Sequence, residues 1–114
     1  MHEMSLVQGL IEQLVALAAE HDKQRILTVT VDIGPLSGVA IDSFQFAFDI
    51  LSKENNLTNG ASLTIINSPA TFRCVQCGHE ESAAVRPDQC SKCQESLLIP
   101  EGGDAITLNQ VELE

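Results

Sequence analysis

Four cysteines in two matching pairs, Cys74-x2-Cys77 and Cys90-x2-Cys93, constrain this chain more than any other feature. Two cysteines separated by two residues bend around one cation in a tight knuckle. A second pair, returned by a hairpin-like excursion, completes a tetrahedron of thiolates. Two disulfides would need an oxidising compartment, and a redox dithiol would need one pair at the start of a helix. Iron suits the same four sulfurs; zinc is the expectation, because it makes a redox-inert staple. The chain has 114 residues, four Phe and no Trp or Tyr, so its core is small and mainly aliphatic. Short chains bury a lower share of their surface and gain most from such a staple.

The residues around the cage carry further expectations. Gly78 follows the first knuckle, where a positive φ is often required, and Gln94 holds the matching place in the second, which predicts a less ideal turn. Four thiolates and one Zn²⁺ carry a net charge of about −2 by formal counting. Arg73 and Lys92 stand beside ligand cysteines and either offset that charge or are solvated surface residues. His79 is either an exposed histidine or a donor to a thiolate.

The formal net charge is −10, with only six Lys and Arg. Arg73, Arg86 and Lys92 fall in the cysteine-bearing segment, so the rest of the chain is strongly acidic and suits cations or a basic partner surface. Such a surface repels phosphate backbones, which argues against a nucleic-acid partner. No apolar run approaches the ~20 residues of a membrane span, and the first residues carry no basic leader. The expectation is a cytoplasmic chain with no membrane partner.

Periodicity organises the remainder. Leu6, Leu10, Leu14 and Leu17, with Val7, Ile11, Val15 and Ala18, form an apolar face that predicts a helix over 6–21. Ser5 followed by Gln8 resembles a capping box and places the helix start near Leu6, with residues 1–5 as a short arm. Residues 26–33 alternate, with Leu27, Val29, Val31 and Ile33 on one face, and Gly34-Pro35 stops the strand. A second helix runs from Ser43 to about Glu54, with Asp42 as N-cap and Phe44, Phe48 and Leu51 in the core. A short strand over 62–67 follows, and strand–helix–strand predicts a right-handed crossover with a parallel pair. Pro69 opens and Pro100 closes an inserted segment that holds all four cysteines. Strand character resumes over 105–113, but Ile106 and Leu108 alternate out of phase with Val111 and Leu113, so a bulge is expected near Asn109-Gln110.

The chain start, Met1-His2-Glu3, brings an α-amine next to an imidazole. The amine, the His2 amide and the imidazole can close successive chelate rings on one cation, and a nitrogen-rich planar set suits Ni²⁺. The Glu3 amide or its carboxylate can add a ligand. The plain alternative is an exposed histidine in a mobile terminus.

Several stretches together resemble the HypA/HybF family. They are Met-His-Glu leading into an amphipathic helix, Ile33-Gly34-Pro35-Leu36-Ser37-Gly38-Val39, Phe46-Ala47-Phe48, the two Cys-x-x-Cys knuckles, and Val111-Glu112-Leu113-Glu114 at the end. The resemblance covers essentially the whole chain in order. It implies a nickel metallochaperone for [NiFe]-hydrogenase maturation, in some organisms also supplying urease. The implied partners are a nickel-handling GTPase and the hydrogenase large subunit. It implies releasable nickel at His2, Glu3 and the Met1 amine, and zinc at Cys74, Cys77, Cys90 and Cys93. The implied fold is α+β, two helices on a small mixed three-stranded sheet with a separate, rubredoxin-like zinc-ribbon lobe. The expected domains are 1–68 with 101–114, and 69–100. One departure stands out: many members carry an acidic residue just after the Ser-Gly-Val stretch, where this chain has Ala40. The nearest carboxylate is Asp42, which is expected to cap the second helix.

A zinc-ribbon interaction adaptor without metal transfer is the alternative. An enzyme is not expected, because there is no Ser/His/Asp set and no phosphate-binding glycine loop, and a cage of four thiolates leaves zinc no open position for a substrate water.

Overall fold

The computed structural model describes residues 2–114. In α1 (His2–Glu20), Val7, Ile11, Leu14 and Ala18 recur at three- and four-residue spacing and are buried. Leu6, Leu10, Val15 and Leu17 flank that stripe, half-buried. The helix starts earlier than expected. Residues 2–5 are helical rather than an arm, and Ser5 lies inside the helix. Glu3 supplies the reason: its charge suits the first turn, and its carboxylate accepts the backbone N–H of Ala40 at 3.2 Å. At the far end Asp22 takes φ +55°, and the Lys23 N–H reaches back to the Ala18 carbonyl at 2.8 Å. This left-handed closure satisfies the last carbonyls without a glycine.

Strand β1 (Ile26–Ile33) buries Val29, Val31 and Ile33 as the alternation predicts, and Ile26 rather than Leu27 at its start. Helix α2 (Ile41–Leu51) buries Phe44, Ala47 and Phe48 and continues into a 3-10 turn, Ser52–Glu54. Asp42 is not its N-cap. The cap is Ala40, in extended backbone and without a side-chain bond, and Asp42 sits in the first turn. Buried Thr58 donates to the Ser52 carbonyl at 2.7 Å and closes the turn that leads to β2 (Ser62–Ile66).

The sheet order is β2-β1-β6, with β6 spanning Ile106–Leu113. Arg25 and Glu114 exchange backbone hydrogen bonds, and Thr28 bonds the Glu112 side chain, so β6 runs antiparallel to β1. Glu114 and Ala105 both bond towards β1 although their positions differ by an odd step. The alternation therefore slips once along β6, and the exposure pattern changes phase between Leu108 and Val111, where the sequence requires it.

A second three-stranded sheet, order β4-β3-β5, comprises β3 (Ala70–Cys74), β4 (Glu80–Ala83) and β5 (Leu98–Glu101), both outer strands antiparallel to β3. Pro100 lies inside β5 opposite Phe72 rather than closing the segment. It is tolerated there because β5 is an edge, where a missing N–H costs no ladder bond. Ala70, Phe72 and Cys74 point inward and form a core with Cys90 and Leu98, against which Leu36 and Ala83 pack.

The chain divides into two compact units. One takes the chain up to Val31, Val39–Ile66 and Thr107–Glu114; the other takes Asp32–Gly38 and Asn67–Ile106. The loop after β1 belongs to the second unit because Gly34 and Leu36 donate to the carbonyls of Ala105 and Gly103. A Cβ on Gly34 would collide with the Gly103 backbone, so only glycine permits this approach.

Candidate metal centres

Cys74 ends β3, and the inward alternation of that strand buries it. The chain then turns back: Gly78 donates to the Cys74 carbonyl at 3.1 Å, and Cys74 donates to the His79 carbonyl at 2.9 Å. The second knuckle repeats the pattern without a strand before it. Gln94 donates to the Cys90 carbonyl at 3.0 Å, and Cys90 to the Glu95 carbonyl at 2.7 Å. Cys74 and Cys90 are buried, Cys77 and Cys93 exposed.

The four sulfurs all lie within 4.8 Å of one another. Cys74 Sγ is 3.5 Å from Cys93 Sγ, and Cys77 Sγ is 3.7 Å from Cys90 Sγ. A tetrahedron with metal–sulfur bonds of about 2.3 Å has sulfur–sulfur edges of about 3.8 Å. A disulfide requires about 2.05 Å. The donor set and its spacing therefore fit a single four-coordinate ion and no disulfide.

Backbone donors point at the sulfurs. The N–H groups of Gln76 and Lys92 donate to Cys74 Sγ and Cys90 Sγ, each at 3.4 Å. The N–H of Cys77, with that of Gln76 and the neighbouring thiols, outweighs burial and brings the Cys74 thiol down to about 7. At Cys93 the Glu95 N–H pulls the other way, yet burial and the other three thiols push it up to about 12. One sulfur is thus ready to ionise first, and a divalent cation at the centre would draw the rest into thiolates. Lys92 contributes through its backbone, while Arg73 pairs with Glu101 at 3.5 Å. The His79 ring is 3.4 Å from the Ser91 hydroxyl, which also donates to Glu81 at 3.3 Å.

The second knuckle is not a different turn. Gln94 adopts φ +64°, the same left-handed conformation as Gly78 at +76°. A side chain there costs roughly 1–2 kcal/mol, partly offset by the extra freedom of an unfolded glycine. Gln94→Gly is expected to stabilise the four-cysteine unit by about 0.5–1 kcal/mol, read as a higher denaturant midpoint.

His2 and Glu3 open α1, with the imidazole exposed. The Met1 amine, the third expected donor, lies outside the described residues. The first N–H groups of a helix have no intrahelical partner, so the His2 and Glu3 amides are not engaged in the ladder. The Ala40 N–H holds the Glu3 carboxyl below the usual carboxylate range. The ionised form is favoured in the folded state, so this contact supports the fold above the ordinary carboxylate value and is lost as pH falls through the lowered one. An NMR titration should show the Ala40 amide resonance moving with acid, and Glu3→Gln should remove that movement while leaving both helices intact. Among the described residues, the cysteines are the group of three or more metal-binding side chains brought together. Among the described residues, no helix is long and apolar enough to cross a membrane.

Two features escaped sequence reasoning. The bond from Ala40 to Glu3 has no local signal, because the partners are far apart in the chain. The N–H···S donors follow from the knuckle geometry, so the two Cys-x-x-Cys pairs were the signal that could have found them.

Comparison with known proteins places these observations in context. Residues 1–113 match the family model described as hydrogenase/urease nickel incorporation, metallochaperone, hypA. A hydrogenase maturation factor HypA of Caldanaerobacter subterraneus subsp. tengcongensis is 36% identical, with both chains covered in full. One from Alkalilimnicola ehrlichii is 33% identical, also over both full lengths. The solution structure of the Ni metallochaperone HypA from Helicobacter pylori aligns with a TM-score of 0.68 at 27% identity, covering 97% of this chain and 96% of that one. A second solution structure of a HypA protein aligns with a TM-score of 0.71 at 28% identity, covering 100% and 97%.

Proposed function

This chain belongs to the HypA family of hydrogenase/urease nickel-incorporation metallochaperones, and on that premise we propose that it carries nickel to a hydrogenase under assembly. The observation that carries the reading is the extent of the family match, which takes in the chain start as well as the cysteine cage. Labour divides between the two compact units: the one with α1 and α2 handles nickel, and the one that takes Asp32–Gly38 and Asn67–Ile106 holds zinc.

Nickel is the cargo. The Met1 amine and His2 grip it, with Glu3 adding its amide, since its carboxylate is occupied by the Ala40 N–H. His2 and Glu3 stand at a helix end with the imidazole exposed, so the ion can be offered to a partner and released. Zinc in the cage, held by Cys74, Cys77, Cys90 and Cys93, supplies structural cross-linking when bound. The partners are the nickel-handling GTPase of the same assembly line and the hydrogenase large subunit; the chain works in the cytoplasm and is not itself a catalyst. An acidic exterior, with a net charge of −10, suits a basic docking surface and disfavours nucleic acid. Supply of urease is a further outlet that the family description supports.

The test is complementation. In a hydrogenase-producing cell that lacks its own nickel-incorporation factor, the chain should restore hydrogenase activity at low nickel, and added nickel should make the factor dispensable. Absence of rescue at low nickel contradicts the proposal. Equal rescue by His2→Ala would return the adaptor reading, in which the chain joins partners without carrying metal.

A further inference from the structure

The chain has five asparagines, at positions 55, 56, 59, 67 and 109, and of these Asn59 precedes a glycine. With no Cβ on Gly60, nothing on that residue obstructs the approach of its main-chain nitrogen to the Asn59 side-chain carbonyl. The two residues form the centre of a β-turn, in which the Thr58 carbonyl accepts the Ala61 N–H at 3.0 Å. Both are exposed, and neither takes a positive φ. Buried Thr58 anchors the turn, its N–H donating to the Asn55 carbonyl at 3.2 Å and its hydroxyl to the Ser52 carbonyl.

The Gly60 nitrogen is the distinctive group. Among the described residues its N–H donates to no acceptor, and the space around its Cα is open. The corresponding groups at the other asparagines are engaged. The Ser68 N–H, which follows Asn67, is held by the Asp32 carboxylate at 3.1 Å. The Leu57 N–H, which follows Asn56, is held by Asn55 Oδ1 at 2.8 Å, and this bond occupies the Asn55 side chain as well. Asn109 lies within strand β6. A nitrogen held in a hydrogen bond must give up that bond before it can attack. Asn59 therefore combines an unhindered amide with a free neighbouring nitrogen.

From these observations we infer that Asn59-Gly60 is a self-modification site, at which the Asn59 amide becomes a carboxylate. The Gly60 nitrogen attacks Cγ of Asn59. The new N–Cγ bond forms as the Cγ–Nδ2 bond breaks, the proton of the Gly60 nitrogen passes through solvent to the departing nitrogen, and ammonia leaves. Water then opens the resulting cyclic imide at either of its two carbonyls. Opening at Cγ leaves an ordinary aspartate. Opening at the main-chain carbonyl leaves a backbone that runs through Cγ, one carbon longer. An amide and a water are consumed, a carboxylic acid and an ammonia are released, and no oxidant or reductant takes part.

The product has a defined neighbour. Asn59 and Gly60 line a cavity of about 430 Å³ together with Arg25, Ile26, Leu27 and Asn56. No carboxylate lines it, in a chain with 16 Asp and Glu. Arg25 pairs with the Glu114 side chain at 2.8 Å. A carboxylate at position 59 adds a second anion at that cavity, which draws the guanidinium from Glu114.

Peptide mass mapping of the full, metal-loaded chain, after incubation in mildly alkaline buffer, tests this. The Asn59 peptide should gain the mass difference between an amide and a carboxylic acid, in two separable forms, while Asn56, Asn67 and Asn109 stay intact. Gly60→Ala places its methyl in open space at a position without positive φ, so it should fold. It should nevertheless slow the conversion by about tenfold, because the methyl obstructs the attacking nitrogen. Asn59→Asp reproduces one product and should displace the Arg25 side-chain N–H resonance, as should conversion of the parent chain. Retained helical circular dichroism and metal content would establish that each variant folds. An amide that persists at Asn59, earlier conversion at another asparagine, or equally fast conversion in Gly60→Ala overturns the inference. An Arg25 resonance that does not move in Asn59→Asp overturns the link to the cavity.

Discussion

Stripping the metal from the cysteine cage should unfold residues 70–101 while α1, α2 and β1 stay folded. The core of the cysteine-bearing unit is Ala70, Phe72, Cys74, Cys90 and Leu98, and two of those five residues are proposed ligands. Arg86 lies over the Phe72 ring at 5.6 Å and donates to the Leu98 carbonyl at 3.0 Å, which screens the ring without adding to the core. So little apolar burial does not offset the entropy of ordering the segment. In zinc-finger peptides the metal contributes about 10–16 kcal/mol of apparent folding free energy, and a comparable dependence is expected here. The other unit has its own core, including Val7, Ile11 and Leu14 from α1, Val29 and Val31 from β1, and Phe44 and Phe48 from α2. A strong chelator at neutral pH should therefore collapse the amide dispersion of β3, β4 and β5 and leave the helical resonances in place. Cys90→Ala should act similarly, because it removes a ligand and a core side chain together. Native hydrogen-exchange protection in β3 after metal removal would count against this view.

His2→Ala carries the second large effect. It removes the imidazole from the chain start and should abolish stoichiometric nickel binding while the cage keeps its own ion. In the proposed site the imidazole would close the chelate that begins at the α-amine, and an amine and amide alone do not hold a divalent cation well near neutral pH. Calorimetric titration of the untagged chain should give about one nickel per chain for the parent and no saturable site for the variant. Unchanged nickel stoichiometry in His2→Ala, with the cage intact, would assign nickel to other donors.

Much of this was legible in the sequence, for reasons that can be traced to residues. The stripe through Val7, Ile11, Leu14 and Ala18 and the alternation through Val29, Val31 and Ile33 are local periodicities, and burial follows them. The cage was legible because ligand spacing encodes geometry directly. What escaped depended on partners distant in the chain or on backbone states that side chains do not announce. The start of α1 differs from the expectation because Ser5 and Gln8 mimic a cap, whereas Glu3 is held by Ala40, the cap of another helix. Asp42 was misread as a cap for a related reason: α2 begins at Ile41, one residue ahead of it. Gln94 and Asp22 take left-handed backbone without being glycine, which pattern rules assign to glycine first. The allegiance of Asp32–Gly38 to the cysteine-bearing unit follows from Leu36 packing against its core, a contact that periodicity cannot foresee.

The division between a lasting ion and a travelling one is tested most directly by metal analysis of the purified, untagged protein, with nickel titration before and after acetylation of the α-amine. The account predicts one zinc per chain that survives dialysis and acetylation, and one nickel that binds reversibly and is lost once the amine is blocked. Nickel binding that persists after acetylation, or nickel that displaces the cage metal, would contradict it.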